Sequence, residues 1–277
     1  MKTAVVTCAL GALTWTCTAG LMTSDAAAGV APDELFGLDA LSGNIVVIEN
    51  PSGQSGVVAP SRIIQTGLGQ LSDNGSNVEL AGGGGRLFVA DRRDVSVFDA
   101  SSGALQGTFV MATGTRGLAA GNVDGMGMTL FNWTNRDELE LLDPATGTLR
   151  QTFSIAGVNV PTGAAFDPAT GEVIVGSLGG AGEIIRIDPV TGQITSRVSA
   201  MNRDYSGGLA WANGNLYGVQ PFGSSRDTFQ RIAPDGTFQE AFELSGAFEI
   251  AGIAALPTPG SITLAAATGT LLLRRRR

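Results

Sequence analysis

Short runs of β-branched and aromatic residues alternate with glycine-rich turns along most of the chain, with a period of about 45 residues. The clearest marker is a turn in which Asp is followed three and four positions later by Ser or Thr and by Gly. It occurs at residues 99–103, 143–147 and 188–192, with a shortened copy at 233–236 and a first copy at 49–53. Because Asp accepts backbone N–H bonds and Gly adopts the positive φ that closes such turns, each copy predicts a β-hairpin.

A second marker precedes each hairpin, namely a short strand of small and apolar residues. Its copies span residues 78–81, 117–120, 163–166, 208–211 and 252–255. Small side chains suit an innermost strand, where sheets crowd around a central axis. A more β-branched or aromatic strand follows each of the first four copies, so the period holds four strands. Four strands repeated radially predict a β-propeller.

The strand count also predicts how the ring closes. Full blades begin near residues 78, 117, 163 and 208, whereas the first region supplies only three strands, at 35–39, 44–49 and 56–59. The missing inner strand lies at the other end of the body, at 250–256. We therefore predict an all-β propeller of about five four-stranded blades, closed by N- and C-terminal strands that share one blade. A β-sandwich is the main alternative.

Composition and charge narrow the classes of partner. The 277 residues include 40 Gly, and only 15% are charged, as expected for many tight turns. If both terminal segments discussed below are removed, 12 basic and 24 acidic residues remain, a net charge of about −12. Such a surface opposes binding to nucleic acid and to anionic membranes.

The chain lacks the residues of the commonest catalytic sites. It has no His, and its two cysteines, Cys8 and Cys17, both lie in the N-terminal segment. This excludes Cys/His zinc sites, nucleophiles paired with His and the usual general base at neutral pH. The Asp-containing turns offer one carboxylate each, whereas Ca²⁺ takes six to eight oxygen ligands, so structural turns are favoured. We expect no cofactor and no metal, and the sequence favours a non-catalytic protein.

The N-terminal 28 residues are typical of a secretory signal peptide. Lys2 gives a positive start, an uncharged and mainly apolar stretch follows, and Ala26, Ala27 and Ala28 supply small residues for cleavage before Gly29. A buried N-terminal helix is the structural alternative. With the signal peptide and the C-terminal segment set apart, the propeller domain is expected to span residues 29–256.

The C-terminal 21 residues, 257–277, form three parts. A short motif (Pro257, Thr258, Pro259 and Gly260) precedes an apolar run at 261–273 and four arginines (Arg274, Arg275, Arg276 and Arg277). Thirteen helical residues rise about 20 Å, less than the ~30 Å hydrocarbon core, so we expect only transient membrane contact with the arginines on the cytoplasmic side. A last helix of the domain would not need four terminal arginines.

This tail resembles the PEP-CTERM sorting signal of Gram-negative bacteria, with Thr258 in place of the family's Glu. The resemblance implies an exosortase-like processing system as partner and a cell-surface or extracellular-matrix location. The rival is the Leu-Pro-x-Thr-Gly sortase signal, but Pro259 occupies the position of the Thr at which sortase cuts. The body is similar to propellers of the NHL/WD40-like kind.

Polar residues concentrate in the loops expected on one face of the propeller. The loops that lead to inner strands carry Asp73, Asn74, Arg116, Asn159, Arg203, Asp204 and Tyr205, and the loops between second and third strands carry Arg93-Asp94, Arg136-Asp137 and Arg226-Asp227. One interpretation is solvated turns whose charges pair across neighbouring loops. The other is a polar ring that binds a glycan or peptide.

Two functional hypotheses follow from these features. The first is an exported, surface- or matrix-associated scaffold that binds exopolysaccharide or other surface proteins. The second is a secreted carbohydrate-active enzyme that uses carboxylates on the same face, for which Asp94, Asp137, Asp204 and Asp227 are the candidates. The fold alone does not distinguish them.

Overall fold

The computed structural model describes residues 34–71, 77–134, 136–158, 161–177, 182–199, 208–219, 228–233 and 235–256, with only the backbone at 238–241. These residues form 21 β-strands and one short 3₁₀ helix, Pro51–Gly53. Within these ranges no helix is long and apolar enough to cross a membrane. The predicted signal peptide and C-terminal sorting signal lie outside the described residues.

The strands are grouped here by blade. Blade 1 contains β1 (Glu34–Asp39), β2 (Ile45–Glu49), β4 (Arg62–Ile64) and β21 (Ile250–Ala255). Blade 2 contains β5 (Val78–Gly83), β6 (Arg86–Asp91), β7 (Asp94–Asp99) and β8 (Leu105–Val110). Blade 3 contains β9 (Gly117–Val123), β10 (Gly127–Trp133), β11 (Glu138–Leu142) and β12 (Leu149–Ser154). Blade 4 contains β13 (Pro161–Asp167), β14 (Glu172–Ser177), β15 (Glu183–Ile187) and β16 (Ile194–Ser199); blade 5 contains β17 (Leu209–Ala212), β18 (Asn215–Val219), β19 (Thr228–Ile232), β20 (Phe238–Leu244) and the added strand β3 (Gly56–Val58).

The five sheets form a closed ring around their inner strands. Each inner strand packs beside the next, in the order β21, β5, β9, β13, β17 and back to β21. Burial follows the same radial order: β5 is buried along its whole length, whereas β8, at the rim of that blade, exposes most of its residues. The predicted five-bladed β-propeller is confirmed.

The core is divided into five apolar wedges, one at each interface between neighbouring blades. Phe36 and Leu87 belong to the wedge between blades 1 and 2, and Phe88 and Leu130 to that between blades 2 and 3. Residues alternate in direction along each strand, so Phe131 faces the next wedge instead, where its ring stacks on Phe166 of blade 4 at a centroid distance of 5.5 Å. The remaining wedges lie between blades 4 and 5 and between blades 5 and 1.

The ring closes as predicted, but one strand of the N-terminal region lies elsewhere. Antiparallel pairing of β21 with β1 places the C-terminal and N-terminal strands in blade 1, as expected. The prediction that residues 56–59 form the outer strand of blade 1 is wrong, because β4 occupies that position. Strand β3 instead pairs in parallel with β20 and covers the outer edge of blade 5. The backbone N–H of Ser245 donates a hydrogen bond to Val58 O at 2.8 Å, which continues this pairing.

The Asp-containing turns join the third and fourth strands of the blades, as predicted. In the copy at Asp143, its carboxylate accepts the backbone N–H groups of Ala145 and Thr146, and Gly147 has a φ of 69°. That glycine also serves packing between blades. A Cβ atom there would lie 2.3 Å from the ring of Phe109 in blade 2, so the turn needs glycine for its conformation and for this contact.

Candidate functional site

The connections between strands define two faces of the propeller. The upper face carries the loops from the second to the third strand of each blade and from each outer strand to the next inner strand, such as residues 92–93 and 111–116. The lower face carries the remaining turns, including every Asp-containing turn described above. A binding site on a propeller is built from one of these faces or from the central channel.

Five of the residues predicted for this face are described, and all lie on the upper face. Arg93, Asp94, Arg136 and Asp137 are exposed, and Arg116 is half-buried. None of the five forms an ion pair with a described residue, although Arg93 Nε donates to the backbone oxygen of Met111 at 2.8 Å. The remaining candidates on this face lie outside the described residues: Asp73, Asn74, Asn159, Arg203, Asp204, Tyr205, Arg226 and Asp227.

The recurring Arg-Asp pair does not occupy the same position in blades 2 and 3. The residue after the outer strand donates its N–H to Arg93 O in blade 2 but to Asp137 O in blade 3. Arg93 and Asp137 are therefore equivalent, and the two pairs are offset by one residue. A shift of one residue turns a side chain to the other face of a strand, so the similar dipeptides present their charges differently.

A collar of four glycines surrounds the upper mouth of the central channel. They lie at or close to the start of the inner strands of four blades, at Gly117, Gly163, Gly208 and Gly252. An added Cβ atom on each would lie 2.6–2.8 Å from the backbone of the next blade. Since side chains do not fit at such distances, the backbones of adjacent blades touch here, and only glycine permits this approach.

Blade 2 breaks this pattern with Glu79, the residue equivalent to the collar glycines. Gly252 packs directly on the backbone of Glu79, which places Glu79 at the fifth position of the collar. Glu79 is 1% exposed. Burial raises its pKa well above the ordinary value, and the charge of Arg116 lowers it only in part.

The backbone of Arg116 joins blades 3 and 4. Its N–H donates to Trp133 O at 2.7 Å within blade 3, and its carbonyl accepts from Gly163 N of blade 4 at 3.0 Å. Its guanidinium makes no hydrogen bond to any residue in the described ranges. The charge of Arg116 acts on Glu79, but no hydrogen bond or ion pair joins these two side chains.

The channel below the collar has little free space. It encloses a cavity of about 20 Å³ lined by inner-strand residues such as Leu80, Ala119 and Ala254. This is enough for about one water molecule, whereas small-molecule sites usually measure about 300–1,000 Å³. This cavity therefore has no room for a ligand larger than water.

A buried polar cluster lies next to this mouth, between blades 2 and 3. The Glu140 carboxylate accepts hydrogen bonds from the Thr113 hydroxyl at 2.6 Å and from Asn132 Nδ2 at 2.8 Å. The Oδ1 atom of Asn132 has no hydrogen-bond partner among the described atoms. This cluster fixes the loop at 111–116, which leads into Arg116, against blade 3.

The lower face uses its charges differently. Arg186 contacts Asp167 at 2.8 Å and Glu172 at 3.0 Å, and its guanidinium lies over the ring of Trp211 in blade 5. Arg62 pairs with Glu34, and Arg150 pairs with Asp143. Burial alone would lower the pKa of Arg186, but its hydrogen bonds to the two carboxylates raise it. These three arginines thus hold strands and blades together, whereas Arg86 on the same face is exposed and has no ion pair with a described residue.

The described residues at the upper mouth offer hydrogen-bonding groups. They contain no group of three or more His, Cys, Asp or Glu side chains arranged to hold a metal ion. The collar pair offers a hydrogen-bonding acid and a guanidinium, which suit an oxygen-rich ligand.

Glu79 is the site residue that sequence reasoning missed. The sequence copies conceal it, because the inner strand predicted at 78–81 places Val78, not Glu79, opposite the four glycines. A shift of one residue is needed to align Glu79 with them, and the packing of Gly252 on the Glu79 backbone reveals that shift.

The described residues define a five-bladed β-propeller whose upper face carries the described members of the predicted site. No protein-family model and no curated protein matches the chain. Similar solved structures include a chain of the nidogen/laminin complex, at 18% identity over 80% of each chain and a TM-score of 0.49. A glutaminyl cyclase from Myxococcus xanthus has 17% identity over 69% of this chain and 84% of its own, with a TM-score of 0.48.

A further similar structure is the WD40 domain of Neurospora crassa Pan2, at 13% identity over 62% of this chain and 51% of its own, with a TM-score of 0.41. These identities and scores carry no argument about activity or partners.

Proposed function

We propose that the protein is an exported, non-catalytic propeller that serves as a binding scaffold at the cell surface or in the extracellular matrix of a Gram-negative bacterium. Its N-terminal segment directs export, and its C-terminal 21 residues direct sorting by an exosortase-like system. The upper face of the propeller then binds exopolysaccharide or another surface protein.

The observation that supports binding is the uneven commitment of charge between the two faces. Arg62, Arg150 and Arg186 on the lower face are each paired with a carboxylate, and Arg86 is the unpaired one among the described arginines with a position in a lower turn. On the upper face, Arg197 pairs with Glu183, whereas Arg116 and Arg136 have no such partner among the described residues. Charges left unpaired on a rigid surface are available to a ligand at little cost of reorganisation.

Two measurements test this proposal. In the native host, the full chain should reach the surface or matrix fraction, and a chain ending at residue 256 should not. Replacing the four terminal arginines by alanine tests the basic end of the signal while keeping the length constant. Equal delivery of the full and shortened chains would contradict the sorting role.

Binding and catalysis are separated with the purified full-length protein. We expect retention on exopolysaccharide extracted from the host, without release of shorter oligosaccharides. Turnover that is lost in Asp94→Asn or Asp137→Asn would replace the scaffold proposal by a carbohydrate-active enzyme.

A further inference from the structure

The last described residues are fixed at the lower mouth of the central channel. Strand β21 passes the upper collar at Gly252 and ends below it with Ala255, which pairs with Leu35 of β1. The next residue, Leu256, is partly buried in the wedge between blades 1 and 2. A Cβ atom added to Gly82 of blade 2 would lie 2.7 Å from Ala255 O, so the chain is packed tightly against the lower end of β5.

The described body also begins on the lower face. Strand β1 starts with Glu34, whose carboxylate pairs with Arg62 at 3.1 Å. Because β1 and β21 are antiparallel neighbours, the first and last described strands of blade 1 have these two ends side by side. Both predicted terminal segments are therefore joined to the lower face, and neither is joined to the upper mouth.

The segment after Leu256 is too short to reach the upper face. Four residues, 257–260, separate Leu256 from the apolar run at 261–273, and a fully extended chain covers at most about 18 Å between residues 256 and 261. Inner strands such as β5 and β9 have six and seven residues, so the two faces lie about 20 Å apart. The four strands of a blade add about 14 Å from the inner strand to the rim. A path around the rim is therefore about 35 Å long, roughly twice the available length.

We propose that the apolar run at 261–273 holds the lower face of the propeller next to a lipid bilayer, so that the upper face is turned away from the membrane. This inference rests on the proposed function, in which the C-terminal segment contacts the membrane, and it adds the orientation of the propeller. While the segment is attached, the upper face with Arg116 and Arg136 stays open to a ligand. Ligand binding and sorting therefore use opposite faces and do not compete.

The acidic charge of the body is compatible with this arrangement, because the tail and not the lower face supplies the attachment. The ion pairs of Arg62, Arg150 and Arg186 neutralise carboxylates on this face that anionic headgroups would otherwise repel. The carboxylates of Asp99 and Asp188, which cap exposed lower turns, remain charged at neutral pH. Without the tail, the propeller should therefore leave the membrane.

The test measures how near each face lies to the bilayer in the full-length protein. Cys8 and Cys17 lie in the predicted signal peptide, so the exported chain takes a fluorescent thiol label at an introduced cysteine, with the wild type as background control. Asp124→Cys places the label in the lower turn between β9 and β10, and Asp94→Cys places it on the upper face. Both residues are exposed, and both changes remove one negative charge. The labelled proteins are reconstituted into large vesicles of phosphatidylethanolamine and phosphatidylglycerol that contain an energy-acceptor lipid.

We expect energy transfer at least about twofold more efficient from residue 124 than from residue 94, because the faces lie about 20 Å apart. Labelled chains ending at residue 256 should stay in solution and show no transfer. A flexible spacer of about 20 Gly and Ser residues after Leu256 should remove the contrast, because it lets the propeller turn freely. If urea unfolding shows that an Asp variant does not fold, Arg86→Cys and Arg136→Cys form a second exposed pair on the lower and upper faces.

The outcomes separate this inference from the proposed function. Equal transfer from both faces of the vesicle-bound chain overturns the orientation and leaves the sorting role intact. A contrast that persists with the spacer, or vesicle binding by the chain ending at residue 256, shows that the lower face adheres by itself and overturns the short tether. Failure of the full chain to bind vesicles also overturns the orientation. The sorting role fails separately, if the full and shortened chains reach the surface fraction equally.

Discussion

The two faces of the propeller are made by the same repeat but use polar residues in opposite ways. On the lower face, Asp99, Asp143 and Asp188 cap their own turns, and Arg186 joins two carboxylates across neighbouring strands. On the upper face, a single ion pair, between Arg197 and Glu183, is found among the described residues. The comparison indicates that the lower face holds the fold together and the upper face is left available for contact.

The largest expected effect is the difference in lost stability between a collar glycine and a glycine in a lower turn of the same blade, each replaced by alanine. A Cβ atom at Gly163 would lie 2.7 Å from Gly208, and φ at Gly163 is 65°. Gly163→Ala should therefore lower the free energy of unfolding by about 3–4 kcal/mol, from overpacking and a strained φ together. Gly171 has a φ of 74° in open space, so Gly171→Ala should cost only about 1 kcal/mol. Urea unfolding measures both; equal losses would show that the collar is not tightly packed.

The next effect compares one arginine on each face. Arg186→Ala removes the partner of Asp167, whose side chain is 3% exposed, and leaves that carboxylate buried without its cation. We expect a loss of about 2–3 kcal/mol in the free energy of unfolding. Arg136→Ala on the upper face should change it by less than about 0.5 kcal/mol. Similar losses in thermal and urea unfolding would remove the contrast between the faces.

A pH dependence distinguishes the buried acid of the upper mouth from those of the lower turns. The pKa of Glu79 is raised, so the folded protein keeps this proton at pH values where the unfolded chain has lost it. Stability should fall as pH rises from about 4.5 towards the raised pKa, and Glu79→Gln should abolish this fall. The measurement is the urea midpoint across pH; a Glu79→Gln curve parallel to the wild type would contradict the burial argument.

The smallest effect has the opposite sign and concerns the lower turns. Hydrogen bonds from the Ser101 side chain and from Ser102 lower the pKa of Asp99 to about 2. The stability that this carboxylate contributes is present above the pKa of the unfolded chain and is lost as pH falls towards 2. Because Asp99 lies at the surface, Asp99→Asn should cost no more than about 0.5–1 kcal/mol at neutral pH. Its effect should disappear in strong acid, which urea unfolding at pH 2 would show.

Much of the fold was predictable because it is encoded locally. The repeat contains the turns at Asp99, Asp143 and Asp188 and the small inner strands. Because it recurs around the ring, a copy with a weak pattern can be recognised from the clearer copies. Strand β3 was misplaced because its sequence specifies an extended segment but not the edge that it joins. Parallel pairing with β20 joins residues nearly 190 positions apart, which no local pattern reports.

The candidate site was predicted only in part for a similar reason. The location of Asp94, Arg116, Arg136 and Asp137 on one face follows from counting strands. The two Arg-Asp pairs present their charges differently because their registers differ by one residue. The burial of Glu79 depends on how closely the neighbouring blades approach it.

By itself, the sequence determined the five-fold repeat, the hairpin turns and the use of both chain ends in one blade, because these depend on local conformational preference and strand count. Only the tertiary structure decided that the collar closes at four glycines, that Glu79 is the buried exception, and that Arg116 is left beside it without a carboxylate partner among the described residues. Those properties arise where adjacent blades meet, and burial, close approach and electrostatic pairing between distant segments exist only after the ring has closed.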